Sequence, residues 1–337
     1  MLSKWTQGYI YEVLGSSRQA LAQYEKRKTA REACLIELEF LLNSYRKNHP
    51  GMGLVKAYYL LNPSCIGRDG FVAEMRHRGY ALARKKSHTR TTHSGKKRFP
   101  NLIKLLIIND INLIWQSDTT YFRLREQFYY LTFILDVYSR RIVGYCVSEH
   151  LRASANIMAL KQAFKTRKGE DLGQLIFHSD GGIQYRDKGF VKLLGERGIS
   201  SSMCNTATDN AYAEKLNDII KNEYLSYFQI KDMKQLKYIT KRTIKNYNKI
   251  RPHGQLPHRS SPIDFESYLC LMATKDRPLL GIKDGQAPSI FWQENFDIKM
   301  HNIGLWAPKG ITQIMPVHVT LQQPMSDPQL VLDLDSY

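Results

Sequence analysis

Residues 176–185 read IFHSDGGIQY: an apolar run closes in Asp180 and opens at once into Gly181 and Gly182. In open α/β sheets ligands gather beyond the strand ends, so an acid placed there stands at the mouth of the sheet. The two glycines leave room for backbone and substrate to approach each other. Three strand-like runs precede this stretch, LIWQSDTTYF (113–122), QFYYLTFILDVY (127–138) and RIVGYCVSEH (141–150), rich in Ile, Val, Tyr and Phe and parted by short turns. They predict an antiparallel meander. Helical spacing over 153–165, 187–196 and 210–224 alternates with the runs QLIFHSD (174–180) and GISSSM (198–203). Three strands, then helix, strand, helix, strand and helix predict an α/β layer fold, a mixed sheet with flanking helices.

Two further acids fall on this frame. Asp118 lies on the first strand, on the same side as Gln116 and Thr120. Glu214 lies on the last helix, in DNAYAEKLNDIIKNEYL (209–225). Three carboxylates from three elements cannot pack together dry, because repulsion and desolvation would protonate them or open the site. A pair of divalent cations resolves the conflict, and oxygen ligands with open water positions suit Mg2+ or Mn2+. Two such ions can activate an attacking oxygen and stabilise a leaving one in phosphoryl transfer. Lys221 follows Glu214 by close to two helical turns, so the two share a face and Lys221 can hold a phosphate; an ordinary surface lysine is the competing reading.

The chain has 337 residues, enough for two or three domains, and 49 Lys and Arg against 31 Asp and Glu give it a net charge of +18. This balance favours a polyanionic partner, because each neutralised phosphate releases counterions. The charge is concentrated at the front, where residues 1–104 carry 20 basic and 7 acidic side chains. Within them YIYEVLGSSRQALAQYEKRK (9–28) suggests a short helix, a turn at Gly15 and Ser16, and a second helix capped by Ser16 or Ser17. That is the shape of a helix-turn-helix, whose second helix would present Arg18 and Gln19 to DNA. Leu35, Leu38, Leu41 and Leu42 mark the core face of a connecting helix over 29–45. A second helix-turn-helix follows, its last helix running from about Arg68 to His77 and ended by Gly79. Residues 76–104 hold ten Lys and Arg and no acid. The stretch with Lys85, Lys86, Lys96, Lys97 and Arg98 reads as an extended linker lying along phosphates, against the plainer alternative of a solvated tether.

The motifs WQSDTTY (115–121), FHSDGGIQY (177–185) and DNAYAEKLNDIIKNEYL, followed by YNKIRPHGQLPHRSSP (247–262), resemble the insertion-sequence transposases of the IS-three family, second-frame product, whose core is similar to retroviral integrases. The likeness extends from about Tyr9 to Phe265. It implies an RNase H-like integrase core, with Asp118, Asp180 and Glu214 as catalytic ligands of two Mg2+ or Mn2+ ions. Lys221 matches the basic residue after the glutamate, and His178, Gln184, Tyr185 and Asn210 match recurrent positions. Tyr247, Asn248 and Arg251 to His253 match the closing motif, with Arg251 as a DNA contact or a cap on the core. The implied activity is cleavage of phosphodiesters at transposon ends, followed by attack of the freed 3′-hydroxyl on target DNA. The implied partners are terminal-repeat and target DNA, further copies of the chain on that DNA, and the product of an upstream reading frame, since no zipper segment is read here. The interval of 34 positions from Asp180 to Glu214 is slightly shorter than the family's usual spacing. It keeps two other readings open: a binding-only copy that recognises terminal repeats, and an RNase H-like nuclease that does not join strands.

Cys34, Cys65, Cys146, Cys204 and Cys270 are odd in number and lack a CxxC pattern, so reduced thiols are expected rather than a disulfide framework or a zinc site. No segment approaches about 18 uncharged apolar residues and no secretory core opens the chain, so a cytoplasmic, nucleoid-associated bacterial protein without a membrane span is expected. The expected layout is a helix-turn-helix with its connecting helix over 1–47, a second helix-turn-helix over 48–86, a basic linker over 87–112, the catalytic core over 113–267 and an extension over 268–337. The extension carries 5 basic and 7 acidic residues and reads as a small β-rich appendage without recognisable chemistry.

Overall fold

The computed structural model describes residues 7–13, 15–83, 99–205, 207–282 and 291–292. They belong to two compact units, residues 1–86 and 87–337.

The first unit is helical: α1 (Gln7–Val13), α2 (Arg18–Arg46), α3 (Leu54–Leu61) and α4 (Arg68–His77). Ser17 caps α2 by accepting the Ala20 N–H at 3.0 Å. From there α2 runs unbroken for 29 residues, where the sequence suggested two helices meeting near Thr29; it contains no Gly or Pro to end a first one. Its second half sends Leu35, Leu38 and Leu42 into a core shared with Leu54, Ala57, Phe71 and Met75. Arg78, just past α4, reaches Glu32 on α2 at 2.7 Å and Glu39 and Glu74 at 2.9 Å, fastening the last helix to the long one. Cys34 on α2 and Cys65 in the α3–α4 turn form a disulfide, which corrects the expectation of reduced thiols for this pair. Helix packing brings together two residues 31 apart, and no local spacing pattern records such a contact. Lys85, Lys86, Lys96, Lys97 and Arg98 lie outside the described residues.

The second unit starts with the two-residue β1 (Ile107–Ile108), followed by the meander β2 (Ile114–Leu124), β3 (Gln127–Asp136) and β4 (Ile142–Ser148). Next come α5 (Ala153–Thr166), β5 (Ile176–Ser179), α6 (Lys188–Gly195), β6 (Ser200–Met203), α7 (Ala211–Ile219), α8 (Met233–Lys249), α9 (Pro262–Leu269), β7 (Leu279–Gly281) and β8 (Phe291–Trp292). The main sheet has the order β4-β3-β2-β5-β6, with β2 to β4 antiparallel and β5 and β6 running parallel to β2. Strand alternation divides its side chains between two cores. Trp115, Phe177 and Ile134 face α5 and α6 and pack with Ala159, Phe190 and Leu194. Leu131, Phe133 and Leu135 face the other way, against Leu216, Ile220, Leu236 and Ile244 of the α7–α8 layer. Full burial of each large apolar side chain contributes about 2–3 kcal/mol. Gly144 lets α5 lie close on β4, since a Cβ there would stand 2.2 Å from the Ala159 carbonyl oxygen.

A second, three-stranded sheet joins the two margins of this unit: β1 pairs with β7, Ile107 opposite Gly281 and Ile108 opposite Leu280, and β7 pairs with β8. Beneath it Ile103, Ile108, Ile114, Val137, Tyr138, Phe265, Leu269 and Leu280 make a third core. Residues 99–112, read from sequence as linker, therefore belong to the fold, and residues 268–282 pack on it instead of forming a separate appendage. Strands of two or three residues are too short to show a period, so neither was legible. Buried charges pin the same region. Glu266 of α9 accepts hydrogen bonds from Ser139 at 2.7 Å and from Arg167 at 2.9 Å, and pairs with Arg141. Fully buried Asp136 accepts the N–H groups of Asn112 and Ser139 at 2.7 and 2.9 Å. Among the described residues no helix is long and apolar enough to cross a membrane.

Candidate active site

The parallel pairing of β2 with β5 sets the site. Gln116 lies opposite His178 and Ser117 opposite Ser179, so the next residues come side by side, Asp118 within β2 and Asp180 just past the end of β5. Such strands are about 4.8 Å apart. Asp118 Oδ1 accepts the Thr119 N–H at 2.9 Å, and its Oδ2 accepts the side-chain amide of Asn217 at 2.8 Å. Asp180 Oδ1 accepts the Gly182 N–H at 3.1 Å. A Cβ on Gly182 would stand 2.9 Å from that oxygen and 2.6 Å from Gln184 Nε2, so a larger residue there would have to displace the ends of both side chains.

Burial, and then the charge of Asp180, push the Asp118 carboxyl up to about 7; the charge of Glu214 adds to the rise and the two hydrogen bonds oppose it. Asp180 is also raised, chiefly by burial. Two half-buried carboxylates in this relation resist holding full charge together at neutral pH. His178 beside them is buried, which lowers it to about 4, and this neutral imidazole meets Ser202 Oγ through Nδ1 at 2.8 Å.

Glu214 comes from the exposed side of the first turn of α7. That turn is fastened to β2: Asn210 donates to the Ser117 carbonyl at 3.0 Å, and Gln116 donates to the Asp209 carbonyl at 3.0 Å while accepting the Ala213 N–H at 3.4 Å. α7 then widens into a π-helical turn over Ile220–Tyr224. Lys221 on this turn holds its ammonium 5.3 Å from the ring centre of Tyr121 on β2. Glu223 on the same turn takes Arg251 in a two-pronged pair at 3.0–3.1 Å. Arg251 is 4% exposed, and its burial opposes a direct phosphate contact. Arg18 lies exposed at the start of α2 in the other unit.

The remaining motif residues brace the fold. The Tyr185 hydroxyl meets Ser117 Oγ at 2.9 Å, Tyr247 packs edge-on against His253, and Asn248 bonds both the N–H and the carbonyl of Ile142 at 2.9 Å. Gln184 is buried beside Gly182.

Among the described residues no three His, Cys, Asp or Glu side chains stand close enough to enclose one metal ion. The donor chemistry of the aspartate pair nonetheless suits a hard divalent cation: hydrogen-bonded carboxylates whose mutual repulsion a cation would relieve. Sequence reasoning missed Asn217 and Tyr121. Asn217 had a signal, since it follows Glu214 by three residues on the same helix face.

Two family models, both described as integrase core domain, match residues 109–208 and 198–260. A transposase for insertion sequence element IS904 from Lactococcus lactis is 31% identical over 176 residues, which are 50% of this chain and 67% of that protein. A protein of insertion sequence element IS986/IS6110 from Mycobacterium tuberculosis is 31% identical, matching 50% of this chain and 62% of its own length. A 31 kDa protein of insertion element IS600 from Shigella sonnei is 26% identical across 76% of this chain and 97% of its own. Among solved structures, the catalytic core of the HTLV-2 integrase with magnesium aligns at a TM-score of 0.38 and 18% identity, over 49% of this chain and 99% of that one.

Proposed function

We propose, for a chain that belongs to the insertion-sequence transposases with an integrase core, that its second unit cuts phosphodiesters at transposon ends and joins the freed 3′-hydroxyl to target DNA. The observation that carries this reading is the closeness of Asp118 to Asp180, one residue past the last paired position of β2 and β5, with α7 and Glu214 beside them. Asp118, Asp180 and Glu214 would hold two Mg2+ or Mn2+ ions. Bound there, such ions supply an activated oxygen nucleophile and stabilise the leaving oxygen. The Thr119 N–H and Asn217 orient Asp118, and the Gly182 N–H orients Asp180. Gly181 and Gly182 leave the backbone low enough for a phosphate to approach, and Lys221 offers that phosphate an ammonium. The helical first unit, with Arg18, Lys85 and Lys86, together with Lys96, Lys97 and Arg98 beyond its border, would bind the terminal repeats. Several copies would act together on DNA, in the cytoplasm.

A second reading, a copy that binds terminal repeats without cutting them, draws support from Glu214, which stands on the exposed side of α7 and completes no three-residue cluster. Incubation of a labelled terminal-repeat duplex with Mg2+ separates the two. Nicked ends and strand-transfer products are the expected outcome; binding without any cutting favours the second reading.

A further inference from the structure

We infer that the outward face of α8 is a sequence-independent binding surface for the phosphate backbone of duplex DNA. The inference rests on the reading that this unit works on DNA. The helix reads MKQLKYITKRTIKNYNK and contains no acid. Lys234, Lys237, Lys241, Lys245 and Lys249 are all exposed. At 100° per residue they fall within about a third of the helix circumference, and from first to last they span about 22 Å. Four of them repeat at every fourth residue, so their ammonium groups form a row. Exposed Tyr238 stands within it.

Such a row is costly for an isolated helix, because like charges four apart repel and Lys234 sits near the positive helix N-terminus. None of the five lysines has an ion-pair partner among the described residues. The opposite face offsets the repulsion: Leu236, Ile244 and Tyr247 are buried in the core under β3 and β4, and Asp232 caps the first turn through the Gln235 N–H at 2.8 Å. A helix whose apolar side is already committed has nothing to insert into a lipid layer, which leaves a polyanion in water as the partner of matching charge. The Arg251–Glu223 pair links the chain just past the end of α8 to the turn that carries Lys221.

The test titrates full-length protein with a fluorescent duplex of unrelated sequence, without divalent metal, between about 50 and 200 mM salt. Replacing Lys237, Lys241, Lys245 and Lys249 together by Gln is expected to lower the slope of log affinity against log salt by about 3 to 4, and to weaken binding at 0.1 M salt by at least about tenfold. The matching Lys→Arg variant should keep both slope and affinity, and the Gln variant should unfold at no lower urea concentration than wild type. An unchanged slope in the folded Gln variant overturns the proposal, as does an Arg variant that loses as much as the Gln variant. Since no metal is present, the result is independent of cutting; absence of cutting by wild type in Mg2+ counts against the catalytic reading alone.

Discussion

The carboxylate pair on β2 and β5 and the outer face of α8 both crowd like charges together, and the second unit handles the two in opposite ways. On the sheet, Asp118 and Asp180 are half-buried and held by N–H donors, so water screens them poorly and Asp118 rises to about 7. On α8 the lysines stand in solvent, where counterions screen them, and the helix is kept by its buried side. Crowding of half-buried carboxylates favours a small cation at one point. Crowding on an open face selects an extended anion and releases ions along its whole length.

The largest test of that contrast is Asp180→Asn, which should reduce cutting of a labelled end by roughly 10³-fold, because Asp180 would hold the ions that act on the reacting phosphate. Duplex affinity should stay within about twofold, because the basic faces are untouched. Cutting at the wild-type rate would break the contrast at its acidic side. Next in size is a stability effect in chelator. The Asp118 carboxyl of the folded protein keeps its proton up to about 7, against an ordinary value of 3.8. The unfolded chain therefore gives up that proton first, and the fold loses stability as pH climbs through this interval. Asp118→Asn should raise stability at pH 8 by on the order of 3 kcal/mol, with the gain vanishing near pH 4, as read from urea unfolding curves.

Asn217→Ala sharpens the comparison further: it removes the donor to Asp118 Oδ2 and leaves every carboxylate in place, so a 10- to 100-fold loss in cutting, or an equal rise in the metal concentration for half activity, is expected. An unaltered metal requirement would assign Asn217 to packing. The smallest effect is expected of Tyr121→Leu, which takes the ring from beneath Lys221. A contact of about 0.5–1 kcal/mol at an exposed position corresponds to a loss of a few-fold in cutting rate, with the salt slope of duplex binding unchanged.

The part of this contrast that a reader of the sequence could see is the part written in local periodicity. From β2 to α7 the elements lie close to where the sequence pattern puts them, because most strands are bordered by Gly, Asp or Ser, the Arg125–Glu126 turn between β2 and β3 being an exception, and each helix shows an apolar stripe. Asp118 was legible as an acid on the first strand and Asp180 as one at a strand end, although their adjacency follows from a register between residues about sixty apart. What escaped depends on distant partners or on very short elements. The β1–β7 pairing spans most of the second unit, the Cys34–Cys65 link needs two packed helices, and the burial of Arg251 depends on a π turn that no helical period announces. The lysine row was visible as composition, yet only the buried side of α8 shows which way it faces.

The small sheet that stitches Ile107 and Ile108 to Leu280 and Gly281 has a consequence for how such a unit can be exchanged between mobile elements. A cassette cut at the borders of sequence likeness would leave behind one edge of the stitch, and the greasy floor around Ile103, Phe265 and Leu280 would open to water. Shuffling of this unit is therefore constrained to carry both margins as a single inheritance.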